Sequence, residues 1–222
     1  MTRAVNYFAW QAKLAMAPLG SRVVEVGCGI GNFTRMIADR ELVIGVDIEA
    51  ACITEHQQRF AGYTNVRSLL LDAMSPAFHN LKQDAPDSVV CLNVLEHIED
   101  DLGTLRAFAS ILPKGGKAVL IVPAFMALYG PIDKYLGHYR RYTCSSFAAT
   151  ANAAGFNAPV LRYMNTIGFF GWWANAKILK RTEQSEGQIE LFDKHIVPLL
   201  EIIEGAISPP FGQSVFAVLE KR

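Results

Sequence analysis

Val23-Val24-Glu25-Val26-Gly27-Cys28-Gly29-Ile30-Gly31-Asn32-Phe33 is the stretch on which the fold turns. Its first four residues read as a buried strand, the glycines that follow as a tight turn, and Phe33–Arg40 as the start of a helix. Glycine permits positive φ and leaves no Cβ between the backbone and a ligand. The exposed amides at a helix start favour a negatively charged or polar group. A dinucleotide fingerprint spaces its glycines G-x-G-x-x-G to seat a pyrophosphate. Here the spacing is G-x-G-x-G, and Glu25 lies inside the strand just before it. A carboxylate there would repel a pyrophosphate and suits a cation, such as an ammonium or a sulfonium.

Outward from the turn, Leu42–Asp47, Val66–Asp72, Ser88–Asn93 and Lys117–Val122 are further β-branched or aliphatic runs. Ala50–Phe60 and Leu102–Leu112 carry helical periodicity between them. Near-continuous apolar strands alternating with helices predict an α/β fold, a parallel sheet covered on both faces. Pro113-Lys114-Gly115-Gly116 ends one helix and turns into the fifth strand. Ala124–Tyr142 is too long for a mere connector and has the length of a functional loop. Thr143 then starts a helix to Ala154, closed by Gly155. Strand-like runs at Pro159–Tyr163 and Ser214–Leu219 bracket two helical stretches, Gly168–Arg181 and Ile189–Ile207.

The composition narrows the function. The chain has 222 residues, 51% of them hydrophobic, and its 21 Lys+Arg balance 21 Asp+Glu. Charge and hydropathy of this kind exclude intrinsic disorder, and the neutrality argues against nucleic acid as a partner. Cys28, Cys52, Cys91 and Cys144 are widely spaced with no Cys-x-x-Cys pair, so they read as free thiols of a cytoplasmic protein and not as a zinc site. Ala15-Met16-Ala17 mimics a signal-peptidase site, but Gln11 and Lys13 interrupt the apolar stretch before it, so residues 1–20 read as a leading amphipathic helix. The apolar segment Tyr163–Ala176 falls short of the ~20 residues of a membrane span.

Two aspartates extend the ligand site. Asp47 closes the second strand twenty residues after Gly27, where a carboxylate can accept both ribose hydroxyls, and Asp72 closes the third. The segments Glu25–Gly31, Val46-Asp47-Ile48, Leu71-Asp72-Ala73 and Asn93-Val94-Leu95-Glu96-His97-Ile98 resemble, in order and spacing, the motifs of class I S-adenosylmethionine-dependent methyltransferases. The likeness covers roughly residues 20–123. It implies a Rossmann-like, doubly wound sheet of seven strands with the last antiparallel, here with a helical insertion between the final two. It also implies a single domain over residues 1–222: an N-terminal helix (1–20), a cofactor core (21–123), then a substrate loop, the insertion and the final strands (124–222). The cofactor would be S-adenosyl-L-methionine. Gly27 and Gly29 would line its methionine moiety with Glu25 nearby, and Asp47 would bind the ribose. Ile48 would pack on the adenine, Asp72 and Ala73 would read its edge, and Asn93 would hold the amino group.

The acceptor side is less explicit. His97 follows the fourth strand and either faces the reaction centre or bonds the loop. Some quinone-biosynthesis O-methyltransferases place metal ligands there as Glu-x-x-Glu-His; this chain has Asn93 in place of the first acid, so no metal is expected. Gly137-His138-Tyr139-Arg140-Arg141-Tyr142 resembles a loop of a bacterial methyltransferase subgroup associated with glycan, lipid or natural-product tailoring. There Tyr139, Arg140 and Arg141 could grip an anionic acceptor, with His138 as the base. Phe169-Phe170-Gly171-Trp172-Trp173 reads as core or as the roof of an apolar acceptor pocket. Tyr7 and Trp10 read as helix packing or as a closure over the cofactor. The expected activity is methyl transfer to an oxygen of a small molecule. An RNA or protein methyltransferase, or an inactive cofactor-binding subunit, is the alternative; peripheral membrane contact and self-association stay open.

Overall fold

The computed structural model describes residues 4–179 and 186–222. Strands β1 (Arg22–Val26), β2 (Leu42–Asp47), β3 (Val66–Leu70), β4 (Ser88–Leu92) and β5 (Lys117–Pro123) pair in parallel. The last strand, β7 (Ser214–Lys221), runs antiparallel between β5 and β6 (Phe156–Met164), giving the order β3-β2-β1-β4-β5-β7-β6. This is the expected seven-stranded sheet. β6 begins before Pro159, and that proline, lacking an N–H, falls where the register with β7 shifts between Asn157 and Val160.

Alternation along the strands divides the core between two faces. Val24, Val26, Cys91, Leu120 and Ala217 pack with Leu105 and Phe108 of α3 (Asp101–Ile111) and Phe147 of α5 (Cys144–Ala153). Val23, Val90, Val119, Ile121 and Phe216 pack with Trp10 of α1 (Val5–Met16) and Val197 and Leu200 of α8 (Val197–Ala206). Each such large side chain contributes on the order of 1.5–3 kcal/mol by leaving water. The strand order reverses between β1 and β4, which opens a crevice at their carboxyl ends.

One predicted element is different. Phe33–Arg40 forms only a short 3₁₀ turn, Thr34–Met36, where a helix was expected. The segment is too short to hold a helix on propensity alone, and the Thr34 hydroxyl is drawn into the core by Glu25 and His56. Helix α2 (Ala50–Arg59) follows β2, and a short α4 (Pro131–Tyr135) sits inside the long loop after β5.

Between β6 and β7 lie α6 (Thr166–Trp173), a π-helical continuation over Ala174–Leu179, α7 (Glu186–Leu191) and, after a second π-helical turn, α8. The end of the predicted Gly168–Arg181 stretch falls outside the described residues. Two buried acids fasten this insertion. Glu204 accepts hydrogen bonds from the Asn165 and Thr166 amides and from Thr166 Oγ1. Asp193 accepts from the amides of Asn6 and Tyr7, so the insertion supplies the cap of α1. No helix among the described residues is long and apolar enough to cross a membrane.

Candidate active site

The three glycines of the turn serve different ends. Gly27, at φ +75°, is a glycine because a Cβ would come within 2.3 Å of the Val94 side chain across the β1–β4 crevice. At Gly31, φ +87°, a Cβ would lie 2.3 Å from the Phe60 ring and 2.9 Å from that of His56. Only at Gly29, φ +53°, would a Cβ meet nothing within 4 Å. The backbone is open to a ligand there.

The Gly29 amide donates to Asp47 Oδ2 at 2.8 Å, and the Glu49 amide to Asp47 Oδ1 at 3.0 Å. The turn therefore satisfies its own carboxylate and does not present a free helix start to an anion, a correction that follows from the missing helix. Each Asp47 oxygen keeps a second lone pair for a hydroxyl. Ile48, beside it, is 67% exposed, an isoleucine left uncovered where a flat ring could lie. Asp72 is exposed and turns one oxygen to the Met74 amide at 2.8 Å, and Ala73 beneath it is buried. Glu25 is buried under the turn, 2.6 Å from Thr34 Oγ1, and burial pushes its carboxyl up to about 8, with Asp47 adding to the rise. An open backbone, a diol-ready carboxylate, an uncovered isoleucine and a buried acid fit a cofactor that carries ribose, adenine and positive charge.

Across the crevice Asn93 holds φ +55° at the end of β4, an uncommon conformation for a residue with a side chain. It borders a cavity of about 300 Å³ walled also by Tyr7, Glu96, His97, His138, Arg141 and Trp172. His138 Nδ1 is 2.9 Å from Asp133 Oδ1, which also accepts from Arg141 Nε at 2.8 Å. Burial opposes the charge on Asp133, but the bonds from His138 and Arg141 outweigh it and hold the carboxyl below its usual range. Arg141 is itself buried and lies over the Trp172 ring at 4.7 Å. The His97 and His138 rings meet edge to face, 4.6 Å apart. One ligand atom each from Glu96, His97 and His138 falls within 4.8 Å of the others, close enough to share a cation. Among the described residues, Glu96 Oε2 and Trp172 Nε1 are buried without a hydrogen-bond partner, and burial pushes the Glu96 carboxyl up to about 8.

The long loop is pinned over this cavity. Arg140 donates to the carbonyls of Ile98 and Glu99, the Tyr139 amide to that of Glu96, and Tyr129 Oη to that of His138. The Tyr139 side chain is 52% exposed. Both guanidinium groups thus already have protein partners.

A second, larger cavity of about 530 Å³ adjoins the first and shares Ala4, Tyr7, Trp172 and Gln213 with it. Ile167, Phe170, Ile189 and Phe192 supply its apolar wall. Of the aromatics singled out in the sequence, Trp10 belongs to the core, Phe169 packs on Phe125, and Tyr7, Phe170 and Trp172 face the cavities. Sequence reasoning placed Glu96 only in an incomplete metal-ligand pattern, gave Asp133 no role and missed Gln213. Asp133, five residues before His138 at the start of a Pro-led helix, had a local signal; Gln213 had none.

A methyltransferase-domain family model matches residues 1–159. A ubiquinone biosynthesis O-methyltransferase of Xanthomonas euvesicatoria pv. vesicatoria is 27% identical over 196 residues, 81% of this chain and 77% of that protein. A geranyl diphosphate C-methyltransferase from Streptomyces coelicolor A3(2), solved with Mg²⁺, geranyl diphosphate and S-adenosyl-L-homocysteine, shares the fold at TM-score 0.67 and 15% identity, covering 96% of this chain and 77% of that one. The YcgJ protein of Bacillus does so at TM-score 0.64 and 15% identity, covering 97% and 98%. With a family match over most of its length and the β1 turn, Asp47 and Asn93 gathered at one sheet edge, the chain belongs to the methyltransferase-domain family, as a class I enzyme that uses S-adenosyl-L-methionine.

Proposed function

We propose that the chain transfers the methyl group to an oxygen of a small-molecule acceptor seated in the cavity beside Asn93. The observation that carries this reading is His138 on the wall of that cavity, backed by its bond to the buried Asp133. With Asp133 accepting the Nδ1–H, His138 keeps its lone pair on Nε2, the arrangement of a general base for a hydroxyl. The cofactor supplies an electrophilic methyl on a sulfonium, displaced in line. What the chain must do is align the acceptor oxygen and take its proton, and alignment carries most of the rate. On the cofactor side Glu25, Gly27, Gly29 and Asn93 would surround the methionine end. Asp47 would bind the ribose, and Ile48, Asp72 and Ala73 the adenine.

Arg141 borders the cavity and is the better candidate of the two arginines to touch the acceptor; Arg140 and Tyr139 would act by holding the loop. His97, edge-on to His138, would orient it. The adjoining apolar cavity would take a nonpolar portion of the acceptor, which favours a lipid or natural-product intermediate over a glycan. Relatives named as O-methyltransferases support oxygen as the site. The neutral charge speaks against a nucleic acid, and four free cysteines favour a cytoplasmic setting.

The test is transfer of labelled methyl from S-adenosylmethionine to a panel of hydroxylated aromatic and isoprenoid acceptors, with the product bond identified by carbon-13 NMR. Methyl ethers or esters are expected. Label appearing on nitrogen or carbon, or on RNA or protein alone, would overturn the reading.

A further inference from the structure

Behind the glycine turn a chain of buried polar groups runs the width of three strands. Glu25 on β1 is 2.6 Å from Thr34 Oγ1; Thr34 Oγ1 is 2.9 Å from Nε2 of His56 on α2; and His56 Nδ1 is 2.7 Å from Ser68 Oγ on β3. Thr34 and His56 are fully buried. The His56 ring cannot turn aside. Phe60 packs against it with the ring centroids 4.6 Å apart and the planes tilted by 43°, and Gly31 and Gly45 are glycines against it, since a Cβ on either would lie 2.9 Å from the ring.

Hydrogen counting allows the chain two directions. Thr34 has one hydroxyl hydrogen and a neutral imidazole has one N–H. If Glu25 is a carboxylate, Thr34 must donate to it. His56 must then donate from Nε2, and Ser68 must donate to the bare Nδ1. If Glu25 is protonated it can donate to Thr34. Thr34 then donates to Nε2, and the His56 proton sits on Nδ1, facing Ser68. The two directions differ by one proton. Its path balances atom for atom: the Glu25 proton passes to Thr34 oxygen, the Thr34 proton to Nε2, the Nδ1 proton to Ser68 oxygen, and the Ser68 proton to water.

We propose that His56 is a positioning residue whose tautomer is set by the charge of Glu25, and that cofactor binding drives one proton out along Glu25–Thr34–His56–Ser68. The proposal rests on the reading that Glu25 faces the cationic end of the cofactor. Asp47 and Cys28 are the other titratable groups near Glu25; Arg59 and Asp47 face His56. Burial and then Arg59 hold the His56 pKa below its ordinary value, so the ring stays neutral, as a relay requires.

The experiment is nitrogen-15 NMR of the whole chain labelled in histidine, with and without S-adenosylmethionine at pH 7, alongside calorimetry in buffers of different ionisation enthalpy. The expected result is Nδ1–H at His56 in the free chain and Nε2–H with the cofactor, with roughly one proton released per molecule bound. His56→Leu should bind the cofactor about tenfold more weakly. His56→Gln, whose amide can still donate to Thr34, should recover most of that affinity without a tautomer to switch. Melting temperatures of both variants separate a folding defect from a binding one, and the wild-type spectra stand without either. One unchanged tautomer in both forms, or proton release undiminished in His56→Leu, would overturn the relay while leaving the cofactor site intact. Failure of S-adenosylmethionine to bind the wild type would instead overturn the site itself.

Discussion

His138 Nδ1 stands 2.9 Å from Asp133 Oδ1, and the same oxygen takes the Arg141 Nε–H at 2.8 Å, so one carboxylate both fixes an imidazole tautomer and neutralises a buried guanidinium. The two duties can be separated by mutation. His138→Gln should lower turnover by about 10²–10⁴-fold, the usual contribution of a general base, with cofactor affinity by calorimetry unchanged. Asp133→Asn should lower turnover similarly and also destabilise the fold, because removing the charge partner of a buried arginine costs up to ~3–5 kcal/mol. Full turnover in His138→Gln would remove it from the chemistry.

The glycine turn supports a contrast between neighbours. Gly29→Ala places a methyl in open space at φ +53°, so the fold should lose only the ~1–2 kcal/mol of a left-handed non-glycine residue. Cofactor affinity should fall at least about tenfold, a cost of ~1.4 kcal/mol. Gly31→Ala pushes a methyl into the Phe60 and His56 rings and should show the reverse emphasis, a lower melting temperature first. Thermal melts and calorimetry on both variants check this; equal cofactor affinity in Gly29→Ala and wild type would show that the ligand does not approach there.

Both pairs show what the sequence could and could not disclose. Gly27, Asp47, Asp72 and Asn93 were legible because each sits at a strand end, and strand ends follow from local apolar runs. Gly31 was legible as a glycine but not for its reason, since Phe60 and His56 reach it from a helix more than twenty residues later. The helix expected after the turn was misread because Thr34 is held by tertiary bonds that periodicity does not register. Asp193 capping α1 from 187 residues away, and Tyr7, Trp172 and Gln213 meeting around two cavities, are products of sheet topology alone.

Glu96, His97 and His138 invite a cation, yet the chain balances its own charge there. Arg141 lies close enough to lower the Glu96 carboxyl, but the larger rise from burial keeps that carboxyl protonated near neutral pH, which makes it a poor ligand for a cation. Dialysis against a chelator should therefore leave turnover within about twofold of the untreated enzyme, against the 10–100-fold cost of disturbing a true metal site. A larger loss restored by one divalent ion would assign the trio to that ion.

Glu25 should also leave a signature in the stability of the chain without cofactor. Burial holds its carboxyl at about 8 in the folded state, whereas in the unfolded chain it titrates near ~4.3. Between those values the folded state keeps a proton that the unfolded state has shed, so stability falls as pH rises, by at most about 1.4 kcal/mol per pH unit. Above pH 8 both states are ionised and this loss is complete; below about 4 it is absent. Glu96, held up in the same way, adds a parallel slope, so Glu25→Gln should flatten the profile without abolishing it. Saturating S-adenosylmethionine should flatten it too, because a bound cation favours the ionised form that solvent pH otherwise has to impose. Urea midpoints at pH 5.5, 6.5 and 7.5 for wild type and Glu25→Gln measure the difference. Parallel profiles for the two proteins would mean that Glu25 is already ionised in the empty fold and that cofactor binding releases no proton from it.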